Sequence, residues 1–114
     1  MAKVLLAEDD PTMLSLLGTL LKMEGFEVLM LSEESDVTAA VQREKPDVLL
    51  MDVRLGNQNG LEILGSIRRN QDLSNVRVVM TSGLNMQDEC LGHGANAFLL
   101  KPFMPDDLLR VLKA

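Results

Sequence analysis

The chain of 114 residues predicts one α/β domain in which helices cover both faces of a parallel sheet. Short runs rich in valine and leucine alternate with helix-like stretches throughout, and four of the five runs lack the polar alternation of half-exposed strands. The predicted strands span residues 4–7, 27–31, 48–51, 76–80 and 97–100. Because no linker or internal repeat interrupts the alternation, residues 1–114 are predicted to form a single domain.

Crossover helices are predicted between these strands. The best defined is Pro11–Met23, since Asp10 is a natural N-cap, Pro11 takes the first helical position and Gly25 follows the end. Apolar residues at helical spacing predict further helices around residues 37–41, 61–67, 87–92 and 105–113, of which the fourth is short. The charge of Glu27 suggests that the second strand lies at an edge of the sheet.

Composition excludes several classes of function. The formal net charge of −6, the lack of tryptophan and tyrosine and the three phenylalanines argue against direct nucleic-acid binding. One cysteine and no zinc-ligand spacing predict a protein without disulfides or structural zinc. The single cysteine predicts a reducing, cytoplasmic compartment, and since no apolar run exceeds four residues, we expect no contact with a membrane.

Polar side chains follow four of the predicted strands. These are the acidic residues Glu8, Asp9 and Asp10 after the first, Asp52 after the third, Thr81 and Ser82 after the fourth, and Lys101 after the fifth. Because the carboxyl ends of parallel strands meet at one edge, we expect these groups to converge. Clustered carboxylates remain ionised only beside positive charge, which a divalent cation and Lys101 would supply. Oxygen-only ligands favour Mg²⁺ or Mn²⁺ over Zn²⁺.

This set of groups is suited to phosphoryl transfer onto a carboxylate. Asp52 would attack in line, the metal and Lys101 would stabilise charge on the transferred oxygens, and Ser82 would donate a hydrogen bond to one of them. We interpret Asp10 as a helix cap rather than a ligand, and we assign His93 no chemical role.

Three segments, in order and at similar spacing, resemble the receiver domain of two-component response regulators. They are residues 4–10 with their acidic residues, residues 47–55 followed by 60–62, and residues 94–103 with a lysine-proline step. The resemblance covers essentially the whole chain. It implies a flavodoxin-like receiver fold, a doubly wound five-stranded parallel sheet of order 2-1-3-4-5 with five helices.

The resemblance also implies a phosphoacceptor and a metal site. Asp52 would take a phosphoryl group from a phosphohistidine of a sensor histidine kinase or a histidine phosphotransfer protein. Mg²⁺ would be held by Asp9, by Asp52, by the backbone carbonyl of Arg54 and, through water, by Glu8. The chain would then be a signalling domain rather than a dedicated enzyme, a role that is compatible with self-dephosphorylation.

Switch residues and an output face follow from the same resemblance. Ser82 would follow the phosphoryl group, Phe98 would be the aromatic switch, and the Lys101–Pro102 peptide bond would be cis. Ser82 is preferred to Thr81 because the outward hydroxyl should follow the last buried apolar position. An output domain, an effector protein or a second copy would use the face of the fourth helix, fifth strand and fifth helix.

Two departures from the family pattern leave an alternative open. Gly56 stands where receivers often have proline, which predicts a more mobile loop. About three residues are missing between Ser82 and Gly94, which predicts a short fourth helix. Both departures favour the alternative of a receiver-like interaction domain that works without phosphorylation.

Two other classes are less well supported. A hydrolase with an aspartyl nucleophile lacks its general acid, because Arg54 stands two positions after Asp52. A nucleotide or flavin module lacks a glycine-rich phosphate loop after the first strand, where acidic residues would repel phosphate.

Overall fold

The computed structural model describes residues 2–31 and 36–113 and contains a central sheet of five parallel strands. They are β1 (Lys3–Ala7), β2 (Glu27–Leu31), β3 (Val48–Asp52), β4 (Arg77–Ser82) and β5 (Ala97–Leu100). Their spatial order is β2-β1-β3-β4-β5, so the predicted order 2-1-3-4-5 is confirmed. β2 lies at an edge of the sheet, as the charge of Glu27 suggested.

β4 ends two residues later than the sequence predicted. Thr81 pairs with Asp52 of β3, and Ser82 pairs with Leu100 of β5, so the ladder continues beyond the apolar run. Both residues are buried despite their hydroxyl groups. The prediction of a strand over 76–80 was wrong at this end because backbone pairing does not depend on side-chain polarity.

Five α-helices connect or follow the strands. They are α1 (Pro11–Met23), α2 (Val37–Glu44), α3 (Gly60–Arg69), α4 (Gln87–Gly92) and α5 (Pro105–Lys113), and a short 3₁₀-helix spans Gln71–Leu73. The predicted cap of α1 is confirmed, since the Asp10 side chain accepts hydrogen bonds from the amides of Thr12 and Met13. α4 has six residues, which confirms the short fourth helix. Among the described residues, no helix is long and apolar enough to cross a membrane.

Apolar side chains cover both faces of the sheet. Alternate strand residues supply the two layers, with Leu5 and Leu49 on one face and Leu6 and Leu50 on the other. The first layer packs against residues of α2, α3 and α4, and the second against residues of α1 and α5. Burial on both faces leaves the strand ends as the place where polar side chains can gather.

A hairpin that the sequence patterns did not predict separates β3 from α3. Arg54–Leu55 pairs antiparallel with Gln58–Asn59. Gly56, with a φ of +59°, opens the two-residue loop, where a tight hairpin turn needs a residue that tolerates a positive φ. The greater mobility predicted for this loop remains a prediction.

The guanidinium group of Arg68 joins separate segments of the chain. Arg68 donates hydrogen bonds to the carbonyl oxygens of Gly94 (2.8 Å) and Val76 (2.8 Å) and to Oδ1 of Asn96 (2.8 Å). The same Asn96 oxygen accepts a hydrogen bond from the Val78 amide at 2.8 Å. These bonds connect α3 to the residue before β4 and to the segment before β5.

Candidate functional site

The carboxyl ends of β1, β3 and β5 bring together the acidic residues and the lysine that the sequence singled out. Glu8 and Asp9 follow β1, Asp52 ends β3 and Lys101 follows β5. One carboxylate oxygen each from Glu8, Asp9 and Asp52 lies within 4.8 Å of the other two. The predicted convergence at one edge of the sheet is therefore present in the structure.

Lys101 connects two of these carboxylates. Its Nζ lies 2.8 Å from Glu8 Oε1 and 2.7 Å from Asp52 Oδ2. Burial lowers the pKa of Lys101, but the hydrogen bonds to Asp52 and Glu8 outweigh it and raise the pKa above its ordinary value. Lys101 is therefore an ammonium group at neutral pH and neutralises part of the acidic cluster.

Glu8 is the most deeply buried of the three acids, with 6% of its surface exposed. Burial raises the pKa of Glu8 to about 7, with a further rise from Asp52 and an opposing effect from Lys101. In the metal-free site Glu8 therefore loses its proton at a higher pH than an exposed glutamate does.

The donor set fits a hard divalent cation. Three carboxylates face one ammonium group, so negative charge is in excess when all are ionised. The donors are oxygen atoms, which Mg²⁺ and Mn²⁺ prefer. The Arg54 amide donates to Asp52 Oδ1 at 3.2 Å, so the residue whose carbonyl is a predicted ligand is bonded to the phosphoacceptor candidate.

Ser82 and Thr81 occupy opposite sides of β4. Ser82 lines an open cleft of about 870 Å³ together with Asp9 and Asp52. Its hydroxyl accepts a hydrogen bond from the Leu84 amide at 3.1 Å and contacts Met86 Sδ at 3.9 Å. Thr81 instead lines a separate small space, which Glu8, Asp52 and Lys101 also border. Of the two hydroxyl groups, that of Ser82 belongs to the cleft.

The remaining singled-out residues lie farther from the acids. Phe98 is half-buried on β5 and packs against the core layer beneath α2, α3 and α4. His93 is exposed just after α4, where its Nδ1 lies 2.7 Å from the carbonyl oxygen of Glu89. The switch role of Phe98 and the absence of a role for His93 stay predictions.

Sequence reasoning missed one contact of the site. The Gly56 amide donates a hydrogen bond to Asp9 Oδ2 at 3.1 Å, across 47 positions of sequence. In the sequence, Gly56 stands out only as a departure from the proline that receivers often have. The sequence signal for this contact is the Gly-Asn pair, because glycine at the first position favours a tight two-residue hairpin loop.

A doubly wound sheet with acids and a lysine at its strand ends places the chain among α/β domains that carry an acidic site on that edge. The model of the response regulator receiver domain family matches residues 4–113. The chain belongs to this family and is a receiver domain of the two-component response regulators.

Three relatives illustrate the family. The DNA-binding response regulator MtrA of Mycolicibacterium smegmatis is 31% identical over 115 residues, which are 98% of this chain and 49% of MtrA. The chain thus spans about half the length of the MtrA proteins. Protein PilH of Pseudomonas aeruginosa is 30% identical over 117 residues, covering 100% of this chain and 97% of PilH.

The third relative is a solved structure, the receiver domain of the sensor histidine kinase PA1611 of Pseudomonas aeruginosa PAO1. It superimposes with a TM-score of 0.87 at 28% identity, over 98% of this chain and 94% of the other. In that structure a magnesium ion is coordinated in the active site cleft.

Proposed function

We propose that this receiver domain is a phosphoacceptor of a two-component phosphorelay, with Asp52 as the residue that is phosphorylated. The phosphoryl donor is a phosphohistidine of a sensor histidine kinase or of a histidine phosphotransfer protein. The observation that carries the proposal is the contact of Asp52 Oδ2 with Lys101 Nζ at 2.7 Å, at the wall of an open cleft lined by Asp9 and Ser82.

The transfer converts a P–N bond into a P–O bond. An Asp52 carboxylate oxygen attacks phosphorus, the bond from phosphorus to the donor imidazole breaks, and the nitrogen leaves with the bonding electron pair. The Lys101 ammonium and the Ser82 hydroxyl donate hydrogen bonds to the transferred oxygens, whose negative charge they stabilise. Neither group has to be deprotonated for this role.

The proposed function includes a bound Mg²⁺ ion. The groups that would hold it are Asp9, Asp52, the backbone carbonyl of Arg54 and, through water, Glu8. The three carboxylates support this assignment because their oxygens lie within 4.8 Å of one another. When bound, Mg²⁺ supplies positive charge close to the phosphoryl oxygens, and Mn²⁺ would serve in the same way.

Phosphorylation would act as a signal rather than as a step of a dedicated enzyme. The new charge at Asp52 would draw Ser82 toward it and shift the equilibrium between two conformations of the domain, with Phe98 as the aromatic switch. Ser82 and Phe98 lie on the paired strands β4 and β5, which supports a coupling between the two side chains.

The output would pass through the face of α4, β5 and α5, in a cytoplasmic protein. Leu91 of α4 and Leu100 of β5 are 42% and 47% exposed, which supports an apolar contact with an output domain, an effector protein or a second copy. The net charge of −6 argues against direct nucleic-acid binding by this domain. The bonded Lys101 and the clustered acids favour this function over a receiver that works without phosphorylation.

Intact mass spectrometry tests the proposal. The protein is incubated with Mg²⁺ and phosphoramidate, a small donor whose P–N bond resembles that of phosphohistidine. We expect a gain of one phosphoryl group that disappears with a chelator and in Asp52→Asn. The matched variant Asp72→Asn, which changes an exposed acid on the 3₁₀-helix, should gain the group like the wild type.

Two results would overturn the assignment. Uptake that persists in Asp52→Asn would place the phosphoacceptor elsewhere. A folded wild type that gains no phosphoryl group from phosphoramidate or acetyl phosphate would favour the interaction domain that works without phosphorylation.

A further inference from the structure

We propose that the backbone amide of Gly56 is a positioning group that holds the Asp9 carboxylate ready for the divalent cation. This inference rests on the proposed function, because it assumes that Asp9 is a ligand of the ion. It concerns a residue that differs from the proline often found at this place in receivers.

The hydrogen bond from Gly56 N to Asp9 Oδ2 is 3.1 Å long and partly shielded from solvent. It links the segment after β1 to the hairpin after β3, so it connects two loops that both line the cleft. Fixing one oxygen of a carboxylate restricts rotation of the whole group, including the other oxygen. Asp9 is thereby oriented before any ion arrives.

The conformation of Gly56 is necessary for this contact. Its φ of +59° lies in the left-handed region, which glycine adopts freely and asparagine tolerates. Proline is fixed near a φ of about −65° and has no N–H group. A proline at position 56 would therefore remove both the donor and the turn that aims it at Asp9.

A hydrogen bond of this kind tunes a metal site from outside its ligand shell. Partners that orient a ligating carboxylate affect metal affinity although they do not touch the ion. Gly56 thus contributes an interaction to this chain that a proline-bearing receiver lacks.

Calorimetric titration with Mg²⁺ compares the wild type, Gly56→Pro and the conservative variant Gly56→Asn. We expect roughly 10- to 100-fold weaker binding in Gly56→Pro. Gly56→Asn, which keeps the N–H group and tolerates the left-handed turn, should retain most of the affinity. Wild-type affinity in Gly56→Pro would overturn the inference while leaving the proposed function intact, whereas a folded wild type that binds no Mg²⁺ would overturn both.

A second measurement does not depend on metal or on the proline variant folding. In metal-free protein, the Gly56 amide proton should shift and exchange faster with solvent in Asp9→Ala than in the wild type, as measured by ¹H–¹⁵N NMR. An unchanged Gly56 resonance in Asp9→Ala would show that the hydrogen bond is absent and would overturn the inference.

Discussion

Lys101 Nζ lies 2.7 Å from Asp52 Oδ2, although the two residues are 49 positions apart in the sequence. The strands that end near them, β3 and β5, do not pair with each other, because β4 lies between them. The parallel direction of all three strands nevertheless places both side chains at one edge of the sheet. Lys101 also donates a hydrogen bond to Glu8, so it connects the ends of β1, β3 and β5.

Replacing Lys101 with methionine should slow phosphoryl uptake while keeping the length of the side chain. We expect a loss of roughly 100-fold in the rate, because one charged donor to the transferred oxygens is removed. The rate of phosphoryl uptake is measured as the rate of mass gain in the presence of phosphoramidate and Mg²⁺. Lys113→Met, which removes an exposed cation on α5, should react at the wild-type rate. Equal rates for Lys101→Met and wild type would exclude Lys101 from the transfer.

The buried Glu8 should make the metal-free protein less stable as the pH rises from about 4.5 to about 7. Its pKa is 4.5 ordinarily and about 7 in the folded protein, so between these values the folded state binds more protons than the unfolded state. The free energy of unfolding therefore falls across this window and levels off above it. The full contribution of the change from 4.5 to about 7 is on the order of 3 kcal/mol at most.

Urea unfolding of metal-free protein at several pH values checks this dependence. Glu8→Gln should remove the fall in stability across the window, since glutamine does not titrate. Glu62→Gln, at an exposed position of α3, should show the same dependence of the free energy of unfolding on pH as the wild type. A Glu8→Gln slope identical to that of the wild type would show that Glu8 is not the group responsible.

Gly60→Ala should destabilise the protein by about 2 kcal/mol or more, because overpacking forces the backbone apart. A Cβ atom at this position would lie 2.5 Å from the carbonyl oxygen of Asp52 and 2.8 Å from that of Val53. In the matched variant Gly92→Ala the new Cβ would meet nothing within 4 Å. Thermal unfolding of both variants measures the difference, and equal melting temperatures would contradict the expectation.

Removal of the Arg68 guanidinium should cost about 2 kcal/mol of stability, since its hydrogen bonds to Gly94 and Val76 would be lost. Arg68→Met retains an apolar stem of similar length and so tests the bonds rather than the packing. Its neighbour Arg69 is exposed, and Arg69→Met should stay within about 0.5 kcal/mol of the wild type. Denaturant unfolding compares the two variants, and equal stabilities would mean that the bonds contribute little.

The sequence by itself determined the features that depend on neighbouring residues. Alternation of apolar runs with helical spacing predicted the strands and helices, and Asp10 with Pro11 predicted the start of α1. The polar residues that follow the apolar runs identified Glu8, Asp9, Asp52 and Lys101 as a group, although β3 and β4 continue into such residues. Such signals are local, because capping and periodicity act within a few residues.

Strand order 2-1-3-4-5 came from the likeness to a known family rather than from periodicity, because the pattern of each strand says nothing about its neighbours. Only the tertiary structure decided that Gly56 contacts Asp9, that Arg68 joins α3 to the segment before β5, and that β4 extends to Ser82. These features depend on atoms brought together from distant parts of the chain. Their energies arise from packing and hydrogen bonding in the folded state, which local propensities do not encode.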